Sequence, residues 1–146
     1  MNKRSDVAVQ KFNEGFNCAQ AVLFSFTDEL HLDKETALKL ACGFGGGMGR
    51  MQEVCGAVSG GIAVIGYKYG RGENGPSDAI ATTYAKVLEL MTSFERENGS
   101  YICKNLLHGC DLKTGDGQKE FKEAGMKKGI CEPCVRSVVE IVEKIL

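Results

Sequence analysis

Five of the nine residues 42–50 are glycine: Gly43, Gly45, Gly46, Gly47 and Gly49. Glycine loses more chain entropy on ordering than any other residue, so such a cluster implies positive φ angles or a backbone that something approaches closely. The stretch 52–69 that follows is apolar nearly all round, which reads as a helix at the centre of the fold. Cys55 falls near its start. A helix N-terminus carries unpaired N–H groups and a partial positive charge, which favours the thiolate. Thiolate attacks disulfides and binds metals, so Cys55 reads as a redox or metal-ligating cysteine. The competing reading is a tight helix-to-helix turn. In that reading Gly56, Gly60 and Ala63 permit close helix packing and Cys55 is a small core residue.

The rest of the chain repeats the helical theme. Val9, Phe12, Phe16, Ala19, Leu23, Phe26 and Leu30 step by three and four, a helical stripe with no competing alternation. Gly15 interrupts it, and Asn17 with Gln20 forms the pattern of a fresh capping box. Asp33 caps a short helix over 34–42, with Leu32 and Ala37 placed for a hydrophobic staple. Residues 71–76 form a loop, and Ser77 caps a helix with Ile80, Tyr84, Val87, Met91 and Phe94 as its buried face. Lys86, Glu89, Glu95 and Arg96 form its solvated side, and Gly99 ends it. Ser100 caps a helix of one or two turns holding Cys103, Leu106 and Leu107. A polar helix is predicted over 118–128, stopped by Gly129. A last helix opens at Cys131 with the core stripe Val135, Val138, Val142 and Ile145, and Pro133 fits its first turn. The expectation is an all-α, single-domain bundle of about five to seven helices over residues 1–146.

The 146 residues carry a net charge of −1, which gives no electrostatic basis for nucleic-acid binding. No run of 18 apolar residues supports a membrane span. The N-terminal residues 1–6 lack an apolar leader core, and the inferred location is cytoplasmic. The glycine loop is not a nucleotide fingerprint. GxGxxG fails at Met48 or Arg50 depending on the frame, and no Gly-Lys-Ser/Thr ending is present.

Seven cysteines are many for a reducing compartment, where clustered cysteines bind metal or do redox work more often than they form structural disulfides. Cys18, Cys55, Cys103 and Cys131 all fall at predicted helix starts. If those ends converge they make a pocket that stabilises several thiolates. Such a pocket could take an iron–sulfur cluster, a tetrahedral zinc ion, or no metal and work as a dithiol–disulfide centre. The pair Cys131 and Cys134 is not a haem attachment site, because Val135 stands where histidine is required. His31 reads as a surface turn residue and His108 as an exposed helix end, which leaves a Cys–His hydrolase unsupported.

Several stretches together resemble the C_GCAxxG_C_C family of small proteins, named for a cysteine pattern and a suspicion of redox chemistry. They are residues 16–23 (FNCAQAVL), 43–49 (GFGGGMG), 55–60 (CGAVSG), 103–107 (CKNLL) with Cys110 and Asp111, and Cys131. A related domain occurs in split-Soret cytochromes, which pair haem with an iron–sulfur centre; without a Cys-x-x-Cys-His the haem half does not carry over. The resemblance implies an iron–sulfur cluster used for electron transfer or redox sensing. It maps the ligands onto Cys18, Cys55, Cys110 and Cys131, with Cys103 as alternate and Cys42 and Cys134 as additions of this sequence. Gly45, Gly46, Gly47 and Gly56 would let the backbone approach the group. In a metal-free oxidoreductase, Cys55 would attack and a second thiol such as Cys18 would resolve. A redox partner protein is implied, and a homodimer is compatible with each reading.

Overall fold

The computed structural model describes residues 3–146; Met1 and Asn2, which begin the stretch read for a leader, lie outside the described residues. It is a single helical domain. The helices are α1 (Arg4–Asn13), α2 (Cys18–Ser25), α3 (Thr27–Leu30), α4 (Lys34–Ala41), α5 (Gly45–Met48), α6 (Gly56–Tyr69), α7 (Ala79–Asn98), α8 (Cys103–Leu106), α9 (Gly115–Glu123) and α10 (Glu132–Ile145). A 3-10 turn, Cys42–Phe44, joins α4 to α5, and a π turn, Lys127–Cys131, runs directly into α10. The only bridge of β type among the described residues pairs Val54 with Ile102.

Local chemistry sets the boundaries. Gly15, at φ +104°, ends the first helix, and Asn17 starts the second. The Asn17 side chain accepts from the Gln20 amide at 3.0 Å, while the Gln20 side chain accepts from the Asn17 amide at 3.0 Å. This reciprocal cap satisfies two otherwise orphaned donors and fixes Cys18 as the first residue of α2. Asp33 caps α4 by accepting from the Thr36 amide at 2.9 Å.

Helices α1, α2, α6, α7 and α10 build the core, with Val22, Phe26, Val58, Ile65, Phe94 and Val138 fully enclosed. Close approach explains two glycines of α6. A Cβ at Gly60 would stand 2.8 Å from the Ala19 carbonyl oxygen, and one at Gly61 would stand 2.8 Å from Val138 and 2.9 Å from Leu90. Gly60 thus has the packing role expected of it and Gly61 shares it, while Ala63, expected to pack likewise, is half-buried. Arg136 ties α10 to α1, donating to Asp6 at 2.7 Å and Ser5 at 3.1 Å.

Neither Ser77 nor Ser100 caps its helix, since α7 starts after Asp78 and α8 after Ile102 with no side-chain cap, and two larger expectations also fail. The first concerns α7. Its enclosed residues are Leu90 and Phe94, while Ile80 and Tyr84 are 40% and 71% exposed. Lys86, expected in solvent, is half-buried over the Tyr69 ring and donates to the Ile145 carbonyl oxygen at 3.4 Å. The helix carries apolar residues on two faces, and contact with α6 and α10 selects one of them. The second concerns the C-terminal region. Gly129 does not stop a helix but lies within the π turn, and Cys131 sits in continuous helical backbone rather than at a free N-terminus.

Candidate functional site: a cavity lined by five cysteines

The glycine stretch folds back on itself. Gly46, Gly47 and Gly49 take φ angles of +66°, +68° and +61°, a left-handed conformation that side chains resist. The carbonyls of Gly43, Gly45, Gly46 and Gly47 accept the amides of Gly49, Arg50, Gln52 and Glu53 at 3.0–3.3 Å. The loop thus closes without a regular helix and delivers Val54 and Cys55 to the start of α6. Residues 52–55 cross against residues 101–104. The Cys55 amide donates to the Tyr101 carbonyl at 2.8 Å, and the Cys103 amide to the Glu53 carbonyl at 2.6 Å. These two bonds set Cys55 and Cys103 on neighbouring walls.

Between them lies a cavity of about 310 Å³. Cys18, Cys55, Cys103, Cys131 and Cys134 line it, and Gly46, Gly47 and Gly56 form part of its wall. Phe12, Phe16, Leu106 and Ile130 supply apolar surface, while Arg50 and Lys127 stand at its edge. The glycines are there because nothing larger fits. A Cβ at Gly47 would come within 2.8 Å of the Cys103 Cβ, and one at Gly56 within 3.0 Å of the Phe44 carbonyl oxygen.

The thiols interact in pairs. The Cys18 thiol donates to Cys131, and that bond, with burial and the neighbouring Cys55, holds the Cys18 pKa well above its ordinary value. The Cys134 thiol donates to Cys55, which lowers the Cys55 pKa, helped by the α6 amides of Ala57 and Val58. The same bond, with burial, raises Cys134. Burial, with Cys55 and Cys18 nearby, pushes the Cys103 thiol up to about 12. Of the cysteines expected as thiolates at positive helix ends, Cys55 is shifted toward the thiolate, whereas Cys18 and Cys103 are shifted the other way, Cys18 by hydrogen bonding to Cys131 and burial, Cys103 by burial.

Cys110 lies apart. Its Sγ donates to the Gly117 carbonyl at 3.1 Å, and it packs with Leu107 and Met126 in a small second core. Cys42 is exposed and also outside the lining. The lining therefore brings together Cys18, Cys55 and Cys131 of the sequence-based set with their alternate Cys103, adds Cys134, and leaves out Cys110, whose cluster packs against Cys103 and Cys131 from outside it. Gly45 makes way for the Asn17 side chain, whose Cβ would stand 2.8 Å from a Cβ there. His108 is exposed, in left-handed backbone at φ +56°. Among the described residues, no three His, Cys, Asp or Glu side chains close around a single ion-sized point.

Gln52 holds the loop that directs Cys110 away. It is 2% exposed and sits at φ +59°, an unfavourable angle for a glutamine. Its amide nitrogen donates to the Cys110 carbonyl at 2.6 Å, and its side-chain oxygen accepts from the Leu112 amide at 2.8 Å. Nothing local in the sequence marks this residue. Gln52→Leu removes both bonds and leaves one buried and one partly buried backbone group unpaired, so urea unfolding should show a loss of about 2–4 kcal/mol.

The raised thiols also set an alkaline limit on the metal-free protein. A folded-state pKa above the unfolded one stabilises fully below the unfolded value, and that stability is lost as pH rises through the folded value. Cys103 spans the interval from the ordinary 9.0 to about 12, with Cys18 and Cys134 shifted in the same direction. Cys55, being lowered, opposes them. Denaturant unfolding of the metal-free protein should show stability falling as pH rises above 9, with a shallower fall in Cys103→Ser.

The helical domain carries a cysteine-lined cavity at the start of its central helix. The family described as "Putative redox-active protein (C_GCAxxG_C_C)" matches residues 16–145, and the chain belongs to that family. An uncharacterized protein of Archaeoglobus fulgidus is 26% identical over 125 residues, covering 80% of this chain and 82% of its own length. No solved structure matches. No helix among the described residues is long and apolar enough to cross a membrane.

Proposed function

We propose that the cavity is a redox centre holding an iron–sulfur cluster, with Cys18, Cys55, Cys103 and Cys131 as its ligands and Cys134 hydrogen-bonded beside Cys55. The observation that carries this reading is the convergence of five thiols from α2, α6, α8, the π turn and α10 on one cavity. Iron–sulfur clusters are commonly held by four cysteine thiolates. The apolar walls would limit water and so set the potential, while Arg50 and Lys127 offset the negative charge of a thiolate-ligated group. Bound there, such a cluster supplies one-electron transfer, for exchange with another redox protein or for sensing. The protein's own part is to release protons from thiols whose pKa is raised, so loading should be favoured by rising pH.

The test is anaerobic purification followed by visible spectroscopy and assays for iron, zinc and acid-labile sulfide. Iron with sulfide and broad visible absorbance is expected. Protein that carries neither as purified and takes up neither from iron and sulfide under reducing conditions would overturn the reading.

One observation favours a second reading. A lowered Cys55 hydrogen-bonded to a neighbouring thiol is the arrangement of an attacking and a resolving cysteine. A small disulfide substrate would be attacked by the Cys55 thiolate, releasing one thiolate. Cys134 would then displace the second, leaving a Cys55–Cys134 disulfide and two reduced substrate thiols. Peptide mapping after treatment of metal-free protein with such a disulfide would show this crosslink, and Cys55→Ser would abolish it.

A further inference from the structure

We infer that the outer face of α7 joins two copies of this chain as an antiparallel helix pair. This is independent of what the cavity holds. The helix is 20 residues long and packs inward on α6 and α10 through Val87, Leu90, Met91 and Phe94. At 100° per residue, the opposite face presents Ala81, Ala85, Leu88 and Thr92, with Tyr84 on its flank, all exposed. Leu88 is 67% and Tyr84 71% exposed. Large apolar residues standing beside two alanines make knobs next to shallow ground, a surface that a second helix can approach closely.

The charges say which helix that is. Asp78 stands at the N-terminal end of α7 and Arg96 near its C-terminal end, on the same flank of the apolar stripe. Neither belongs to an ion pair among the described residues. When the helix is laid antiparallel on a copy of itself, with Leu88 against Ala85, Thr92 falls against Ala81. Arg96 then comes within one residue's rise of Asp78, and the two-fold axis repeats each contact. In the same register Glu95 falls level with the partner's Asp78 but on the opposite flank, so Asp78 meets Arg96 rather than Glu95. An acid at one end and a base at the other, on one flank, is the pattern a self-complementary antiparallel interface requires. A parallel pairing would place Asp78 against Asp78 and Arg96 against Arg96. Arg96, read from the sequence as solvated, thus gains a partner, and Tyr84, expected in the core, lies at the interface instead.

Sedimentation velocity of the full chain across a concentration series tests this. The wild type should shift from monomer to dimer in the micromolar range, since one helix pair is smaller than a standard interface. Leu88→Glu should raise the dissociation constant at least about ten-fold. Because Leu88 is exposed, thermal unfolding of the variant should match the wild type at concentrations where both are monomeric. Asp78→Arg alone and Arg96→Asp alone should each weaken the dimer by about three- to ten-fold, and the double swap should restore it to within about two-fold. A wild type that stays monomeric at the highest concentration, a dimer indifferent to Leu88→Glu, or a double swap no tighter than the singles would each overturn the proposal. The charge swaps lie on the surface and test it even if Leu88→Glu perturbs the helix.

Discussion

Gly47→Ala is expected to lower stability by about 3 kcal/mol or more and to empty the cavity of whatever it binds. Two effects add. The alanine would have to hold a left-handed backbone at φ +68°, which disfavours a side chain by about 1–2 kcal/mol. Its Cβ would also meet the Gln52 Cα at 2.7 Å and both the Glu53 nitrogen and the Cys103 Cβ at 2.8 Å, and overpacking of this kind costs about 1–3 kcal/mol. Two of those neighbours are backbone atoms and cannot swing aside. Relief requires the 52–55 segment to move away from the loop, which carries Cys55 and Cys103 apart. Thermal unfolding should show a midpoint lower by roughly 6–12 °C. Gly49→Ala is the control. Gly49 has a similar φ of +61° but open space around its Cβ position, so it should show only the conformational part of the loss.

Cys103→Ser should reduce retained iron and sulfide on the order of 100-fold or more, above the range seen when only an outer-shell partner is lost. Cys110→Ser should leave both unchanged. The contrast decides between the ligand set implied by the sequence resemblance and the one the cavity lining favours. Cys103 lines the cavity, whereas Cys110 donates to the Gly117 carbonyl and packs with Leu107 and Met126. Retention of iron and sulfide in Cys103→Ser, together with their loss in Cys110→Ser, would reverse the assignment. Total thiol titration of both unfolded variants checks that the readout is binding and not oxidation.

Most of the helical framework is legible in the residues because its signals are local. The Asn17–Gln20 cap, the Asp33 cap and the stripe of α10 each lie within one or two turns, so short-range periodicity and capping chemistry suffice. The gathering of cysteines was foreshadowed by their places near helix starts, and Cys55 keeps that place as the N-cap residue of α6. What local pattern could not supply is direction. Cys103 and Cys110 stand seven residues apart around a turn, and the backbone on either side of Asp111 is held by Gln52, far away in sequence. The π turn before α10 was read as a glycine stop because Gly129 carries the same local signature in both structures. The face of α7 was misjudged for a related reason, since two apolar stripes compete and only tertiary contact with α6 and α10 breaks the tie.

The link between α1 and α10, through Arg136 to Asp6 and Ser5 and Arg4 to Glu143 at 3.7 Å, has a consequence for the order of events during synthesis. Cys18 leaves the ribosome more than a hundred residues before Cys131 and Cys134, which line the same cavity. Translation at roughly 5–20 residues per second leaves the earlier thiols without their final neighbours for several seconds. During that interval Cys18 and Cys55 lack the enclosure that the last helix provides. The nascent chain therefore depends on its surroundings to keep those thiols reduced, and the cavity can be filled in its native form only once the final helix has docked.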